Sequence, residues 1–170
     1  MSDTVIIYRS KYGAARRYAH WLQEALTCDC LENKNLTPAQ LADYHTIILG
    51  GGVYAGGIAG LSFFQKNWTA LQGKNLRIFA VGASPYDEAA VQALRPKAPL
   101  DGVPLFYLRG AWDVAAMSFP DRTLCTMLKR SIAKRDPATL EPWMAALMEA
   151  GEASCDWTDK AALAPLLASL

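Results

Sequence analysis

The hydrophobic residues of this chain fall into short runs separated by segments with helical spacing. The first run is continuously apolar, as expected for a strand buried on both faces of a sheet, and the second is weaker. The predicted strands cover residues 4–8, 28–32, 46–49, 76–81 and 103–108. Helices are predicted between them over residues 14–26, 61–71 and 87–94, and Thr37 with Pro38 opens a short helical turn.

Strands that alternate with helices predict an α/β fold, here a doubly wound parallel sheet of five strands. The pattern alone does not give the order of the strands. Beyond the fifth strand the chain becomes helical, with helices predicted over residues 120–134 and 140–150 and a short one from residue 159. We expect Pro165 to break or kink that last helix near its end. No repeat or linker is visible, so residues 1–170 are predicted to form a single domain.

Composition excludes two classes of protein. With 52% hydrophobic and 19% charged residues among 170, the chain can bury a sizeable core, unlike a disordered polymer. The formal net charge of +1 lacks the basic excess of a nucleic-acid-binding protein.

The stretch over residues 44–65 is uncharged when His45 is neutral, and so imitates a membrane helix. It is better explained as a strand, a glycine loop and a helix, because each glycine costs a helix about 1 kcal/mol. The glycines of the stretch are Gly50, Gly51, Gly52, Gly56, Gly57 and Gly60.

The start of the chain has no basic segment before an apolar run, so we expect a cytoplasmic protein.

Side chains that could carry chemistry by themselves are few. Of four cysteines only Cys28 and Cys30 are close in sequence, and C-x-C alone is a poor metal or redox signature. His20 lies within the first predicted helix and His45 at the amino end of the third strand, so both are expected to be surface or capping residues. No metal site and no catalytic side chain is therefore predicted.

Ligands of open α/β sheets bind beyond the carboxyl ends of the strands, so the segments that follow the strands form the candidate site. The first loop, residues 9–15, leads into a helix whose free backbone amides and dipole favour a phosphate. It lacks both the dinucleotide fingerprint G-x-G-x-x-G and the triphosphate motif G-x-x-x-x-G-K-[ST]. A short loop with Ser10 and Gly13 suits one terminal monophosphate.

Three further loops follow predicted strands: the second (residues 50–56), the third (residues 82–86) and the fourth (residues 109–113). Their glycines allow close approach of a flat ring, and their aromatic residues can flank it. A monophosphate at one end and aromatic walls at the other indicate a site for FMN, with ordinary turns and packing residues as the alternative. The predicted cofactor-binding residues are Ser10, Lys11, Tyr12, Gly13, Ala14, Ala15, Gly51, Gly52, Val53, Tyr54, Ala55, Gly56, Gly82, Ala83, Ser84, Tyr86 and Trp112.

The motifs also occur in a recognisable order. They are Tyr8-Arg9-Ser10-Lys11-Tyr12-Gly13, the glycine-rich run over residues 49–56, residues 106–110, Met117-Ser118-Phe119 with a basic helix, and Cys155-Asp156-Trp157-Thr158-Asp159. Together they resemble the flavodoxin superfamily, in the branch that includes menaquinone-dependent protoporphyrinogen oxidases. The resemblance implies a flavodoxin-like sheet of order 2-1-3-4-5 with bound FMN. In such proteins the flavin carries the redox chemistry.

One departure from the family pattern bears on the cofactor. Ala14 and Ala15 stand where that branch usually has hydroxyl residues. A lost hydrogen bond to a charged group costs about 1.5–3 kcal/mol, so FMN would depend on backbone amides, Ser10 and Lys11. The alternative function is therefore a flavodoxin-like domain that has lost its flavin and acts as a binding or interaction module.

The helical insert between Trp112 and Trp157 bears on the partners. The resemblance implies a redox partner protein or a quinone, and a porphyrinogen as substrate. Trp112, Met117 and Phe119 could form an apolar shelf for a flat substrate. Its propionates could then reach a basic helix, which we expect to cover the sheet edge, with peripheral contact to an anionic membrane as the alternative. The cations considered for the propionates are Arg122, Lys129 and Arg130.

Overall fold

A parallel sheet forms the centre of the protein in the computed structural model, which describes residues 2–170. Met1, the first residue of the predicted domain, lies outside the described residues. The parallel strands stand in the order β2-β1-β3-β5-β6, and β4 pairs antiparallel with β3. Counting only the parallel strands along the chain, this is the predicted order 2-1-3-4-5. The strands are β1 (Thr4–Arg9), β2 (Asp29–Glu32), β3 (Thr46–Tyr54), β4 (Gly57–Ile58), β5 (Asn75–Gly82) and β6 (Leu105–Arg109).

Helices follow or separate these strands, close to the predicted positions. The first helix has the predicted bounds, and the short turn at Thr37 is a 3-10 helix, Pro38–Leu41. Two further 3-10 helices cover Pro137–Thr139 and Lys160–Leu163. The α-helices are α1 (Ala14–Leu26), α2 (Leu61–Lys66), α3 (Trp68–Leu71), α4 (Glu88–Leu94), α5 (Phe119–Ile132), α6 (Pro142–Ala150) and α7 (Ala164–Ala168).

Two helix predictions need correction. The helix expected over residues 61–71 is divided at Asn67, whose side-chain amide donates to the Phe63 carbonyl at 2.8 Å and competes with the backbone ladder. Pro165 does not end the last helix but lies in the first turn of α7. Proline fits there because the first turn has no partner for its missing N–H.

The glycine loop predicted after the third strand is also corrected, because β3 continues through Gly50, Gly51 and Gly52 to Tyr54. A Cβ built at Gly50 would lie 1.9 Å from the Phe79 ring, and one at Gly51 would lie 2.1 Å from the Ala59 carbonyl oxygen. These two glycines therefore allow close packing on opposite faces of the sheet.

Each face of the sheet carries its own hydrophobic cluster, and the residues of β1 alternate between the two. Ile6 packs with α1, Phe79 and Leu166 on one face, which we call the α1 face. Val5 and Ile7 pack on the opposite face, the α2 face, with Phe64. A third, smaller cluster lies in the helical insert and consists of Ile132, Met144, Leu147, Trp112, Leu128 and Leu140.

A small antiparallel sheet that the sequence did not predict ties the insert to the core. It pairs β7 (Ala111–Trp112) with β8 (Cys155–Asp156). The Trp157 amide then donates to the Gly110 carbonyl at 3.0 Å, which returns the chain to the end of β6. Across residues 2–170, no helix has the length and apolar content needed to cross a membrane.

Candidate functional site

The first loop has a fixed backbone between β1 and α1. The Gly13 amide donates to the Ser10 hydroxyl oxygen at 3.0 Å. Gly13 has a φ of 97°, a left-handed conformation that glycine adopts without strain, and nothing lies within 4 Å of a Cβ built there. The loop therefore needs a glycine for its backbone conformation, and the space beside this glycine is open.

The amino end of α1 offers backbone donors to a ligand. No side chain caps this end, and its first turn contains no acidic residue. The amides of Ala14, Ala15 and Arg16 occupy the positions that have no partner within a helix. Beside them lies a cavity of about 290 Å³, whose lining includes the basic residues Lys11 and Arg16 and one acidic residue, Glu32. Donors of this kind together with two cations suit an anion.

One carboxylate from the insert joins the first loop to the end of β3. Asp121, in the first turn of α5, lies 2.5 Å from the Lys11 ammonium and accepts from the Tyr12 hydroxyl. Its other oxygen accepts from the Tyr54 hydroxyl at 3.3 Å. The Lys11 hydrogen bond, assisted by Tyr12, lowers the pKa of Asp121 to about 2, and the same pair raises the pKa of Lys11. Asp121 is only 8% exposed although it is charged.

Tyr54 lies beside the Lys11 side chain of the first loop. Its side chain is 54% exposed, and the Lys11 ammonium lies 5.1 Å from its ring centroid. The turn that follows is exposed and contains Ala55 with a φ of 48° and Gly56 with a φ of 76°. This β3–β4 hairpin places an aromatic ring beside the cations of the first loop.

The predicted residues of the second loop do not all face the same way. A Cβ at Gly52 would meet nothing within 4 Å, so the backbone there is accessible to a ligand. Gly51 is buried under Ala59, and Val53 packs against the core of the α2 face. The structure thus brings Gly52 and Tyr54 to the open edge but turns Gly51 and Val53 inwards.

The third loop is held in place by β6. The Tyr107 hydroxyl donates to the Ser84 carbonyl at 2.8 Å, and the Arg109 side chain donates to the Ala83 carbonyl at 3.1 Å. A Cβ at Gly82 would lie 2.4 Å from the Tyr107 hydroxyl, so glycine is needed for this contact. Tyr86 is 63% exposed and meets the Tyr107 ring edge to face.

Trp112 and the basic residues of the insert have structural contacts of their own. Trp112 packs in the third cluster, and its indole N–H is buried without a partner among the described residues. Arg122 donates to three carbonyls of the segment before α5, and Lys129 donates to the Gly151 carbonyl. Of the three cations considered for propionate binding, Arg130 remains exposed in the described part of the chain with no ion pair.

Three residues of the site were missed in the sequence. Asp121 reads as an ordinary acidic residue in the first turn of a helix, and its position 110 residues from Lys11 hides the contact. Arg16 reads as part of the polar face of α1. Tyr107 belongs to a buried strand, where an aromatic residue is expected to pack. The sequence offered one signal for the contact of Asp121. This residue directly follows Ser118-Phe119-Pro120, in the insert that resembles the family.

The donors at the carboxyl edge fit a phosphorylated flavin. Uncapped amides, a left-handed glycine and two cations at the first loop suit the phosphate. The open backbone at Gly52 and the half-exposed ring of Tyr54 suit a flat aromatic ring. Among residues 2–170 no group of three His, Cys, Asp or Glu side chains is arranged to hold a metal ion.

Comparison with known proteins gives one family and several structural likenesses. The flavodoxin domain family matches residues 5–139. The two-electron reduced flavodoxin of Megasphaera elsdenii is 17% identical, with a TM-score of 0.48 over 61% of this chain and 82% of that one. A WrbA-like flavodoxin from Agrobacterium tumefaciens is 22% identical, with a TM-score of 0.44 over 72% and 88%. No curated protein matches the sequence.

Proposed function

The chain belongs to the flavodoxin domain family, and we propose that it is an FMN-binding oxidoreductase or electron-transfer flavoprotein. The observation that carries the proposal is the uncapped amino end of α1 beside a cavity lined by Lys11 and Arg16. A phosphate there would accept from backbone amides and lie near two positive charges. The flavin, when bound, supplies reversible electron transfer, and the protein sets its position and access.

The residues of the site divide between the two ends of the cofactor. The first loop, with Gly13 and the amides of Ala14 and Ala15, would hold the phosphate. The second loop would present the Gly52 backbone and the Tyr54 ring to the flavin ring, and the third loop would flank it near Tyr86. The Tyr107 contact to Ser84 would keep the third loop in place.

The finer proposal concerns the substrate. Resemblance to menaquinone-dependent protoporphyrinogen oxidases favours a porphyrinogen as donor and a quinone as acceptor, so that each pair of hydrogen atoms removed reduces one quinone to a quinol. Phe119 supports an apolar shelf because it is 81% exposed at the start of α5. Trp112 and the Arg122 and Lys129 side chains contribute less than the sequence suggested, because they are engaged in the insert itself.

An anaerobic assay in two directions tests this function. Chemically reduced flavoprotein is mixed with a menaquinone analogue, and oxidised flavoprotein is mixed with protoporphyrinogen, with flavin absorbance followed in both. We expect the quinone to reoxidise the flavin and the porphyrinogen to reduce it. Reoxidation by quinone without reduction by porphyrinogen would leave a quinone reductase or electron carrier. Failure of both reactions would remove the porphyrinogen and quinone assignment and leave a flavoprotein that serves a redox partner protein.

A flavin-free binding module is the second candidate. The observation in its favour is that Ala14 and Ala15 give the phosphate no side-chain hydroxyl at the amino end of α1. Flavin content separates the candidates, because a module of this kind would be colourless once excess FMN has been removed.

A further inference from the structure

The Asp121 carboxylate balances the charge of the first loop. It pairs with the Lys11 ammonium at 2.5 Å, and that ammonium also lies 5.1 Å from the centroid of the Tyr54 ring. In this arrangement Lys11 covers one face of the Tyr54 ring. The cation best placed to attract a phosphate is therefore already neutralised by a carboxylate from the insert.

The contacts of Asp121 allow Lys11 to leave. Asp121 is almost fully buried, and a buried carboxylate without partners is strongly disfavoured. Here the Tyr12 and Tyr54 hydroxyls both donate to it, so two partners remain when the ammonium moves away. A phosphate, with a charge of about −1.5 to −2, is a stronger partner for an ammonium than a single carboxylate.

We propose that Asp121 is a specificity-determining residue of the first loop, which competes with the phosphate of the ligand for Lys11. This inference rests on the proposed function, since it takes the first loop as a phosphate site. A ligand with a phosphate draws Lys11 away from Asp121, whereas a ligand without a phosphate leaves the ion pair intact. Asp121 thereby lowers the affinity for phosphorylated ligands and leaves that for unphosphorylated ligands nearly unchanged.

Charge-neutral variants test the competition. Asp121→Asn, Lys11→Met and the double variant are titrated with FMN and with riboflavin, following the quenching of flavin fluorescence. We expect Asp121→Asn to raise FMN affinity by about three- to fivefold, the upper range for one ion pair near the surface, and to change riboflavin affinity by less than about twofold. In the Lys11→Met background the Asp121→Asn effect should fall to about twofold or less. Asp136→Asn, an equal charge change at an exposed helix cap in the insert, is the control.

Inorganic phosphate separates this inference from the flavin proposal. Backbone amide shifts of residues 13–16 in labelled protein report phosphate binding without a flavin. If no variant binds FMN but Asp121→Asn binds phosphate more tightly, the competition holds and the proposed flavin function fails. The inference is overturned if Asp121→Asn binds phosphate and FMN no more tightly than the wild type does. It is also overturned if the substitution changes the affinities for FMN and for riboflavin by the same factor. Thermal unfolding verifies the fold of each variant, and Asp121→Ser replaces the asparagine variant if that one unfolds.

Discussion

Gly13 is the residue on which the proposed phosphate site depends most directly. Its left-handed backbone starts α1, and the space around it is open. Gly13→Asp would add strain and a negative charge beside the phosphate. We expect FMN affinity to fall about tenfold or more while riboflavin affinity changes less, measured by flavin fluorescence titration. An equal loss for both ligands would show that this loop does not bind the phosphate.

Two neighbouring glycines of β3 separate packing from ligand access. Gly50→Ala would place a Cβ within 1.9 Å of the Phe79 ring, so we expect it to reduce the free energy of unfolding by about 1–3 kcal/mol. The Cβ that Gly52→Ala adds has no atom within 4 Å, so this substitution should leave the free energy of unfolding nearly unchanged. Chemical denaturation measures both variants, and equal destabilisation would contradict the packing assigned to Gly50. Loss of FMN binding in a stable Gly52→Ala protein would support its place beside the ring.

The residue types predicted which loops form the site. They did not predict the direction in which the side chains of these loops face. The glycine-rich sequence after Leu49 predicted a loop there, whereas β3 continues through these glycines to Tyr54. It did not distinguish Gly51, which packs under Ala59, from Gly52, which is open, because that difference depends on the β4 hairpin folding back. The contact of Asp121 with Lys11 needs the insert to dock on the first loop, and local sequence carries no signal for such distant pairs.

At the scale of elements, the strands and α1 were predictable because a parallel sheet imposes continuous apolar runs. The strand order came from family resemblance, and the structure confirms it. The β7–β8 pair was missed because two-residue strands have no periodicity. The predicted aromatic shelf at Trp112 rested on the residue types after the fifth strand and on the family resemblance, whereas the structure packs this side chain in the cluster between α5 and α6.

The link between α5 and the first loop predicts a dependence of stability on pH. The Lys11 and Tyr12 hydrogen bonds lower the pKa of Asp121 to about 2, so its contribution is fully present above its ordinary pKa near 3.8. That contribution is lost as the pH falls from about 4 towards 2. We expect Asp121→Asn to have a lower Tm than the wild type at pH 7 and the difference to shrink by pH 2.

Thermal unfolding by circular dichroism across that range measures the effect. The stability of Asp121→Asn should still decrease in part at low pH, because Thr158 and Arg17 also lower the pKa of Asp156 to about 2. Asp136→Asn serves as the charge control and should follow the wild type. A Tm difference between wild type and Asp121→Asn that stays constant from pH 7 to pH 2 would contradict the ion pair described here.

At the scale of the whole molecule, the insert distinguishes this chain from a minimal flavodoxin-like sheet. It is attached through the β7–β8 pair and through Asp121 in the first turn of α5. Asp121 contacts the first loop and Tyr54, which are the parts of the sheet edge that we assign to the cofactor. The insert is therefore placed to control what reaches that edge, with Phe119 exposed beside it.

The central claim is that this edge binds FMN through its phosphate. The most direct test is a titration of purified protein, freed of any bound flavin, with FMN, followed by absorbance and flavin fluorescence. We predict saturable binding of one FMN per chain, with the two flavin absorption bands shifted and fluorescence changed, and affinity about tenfold or more lower in Gly13→Asp. Protein that stays colourless after removal of excess FMN, with free-flavin fluorescence unchanged throughout the titration, would contradict the account.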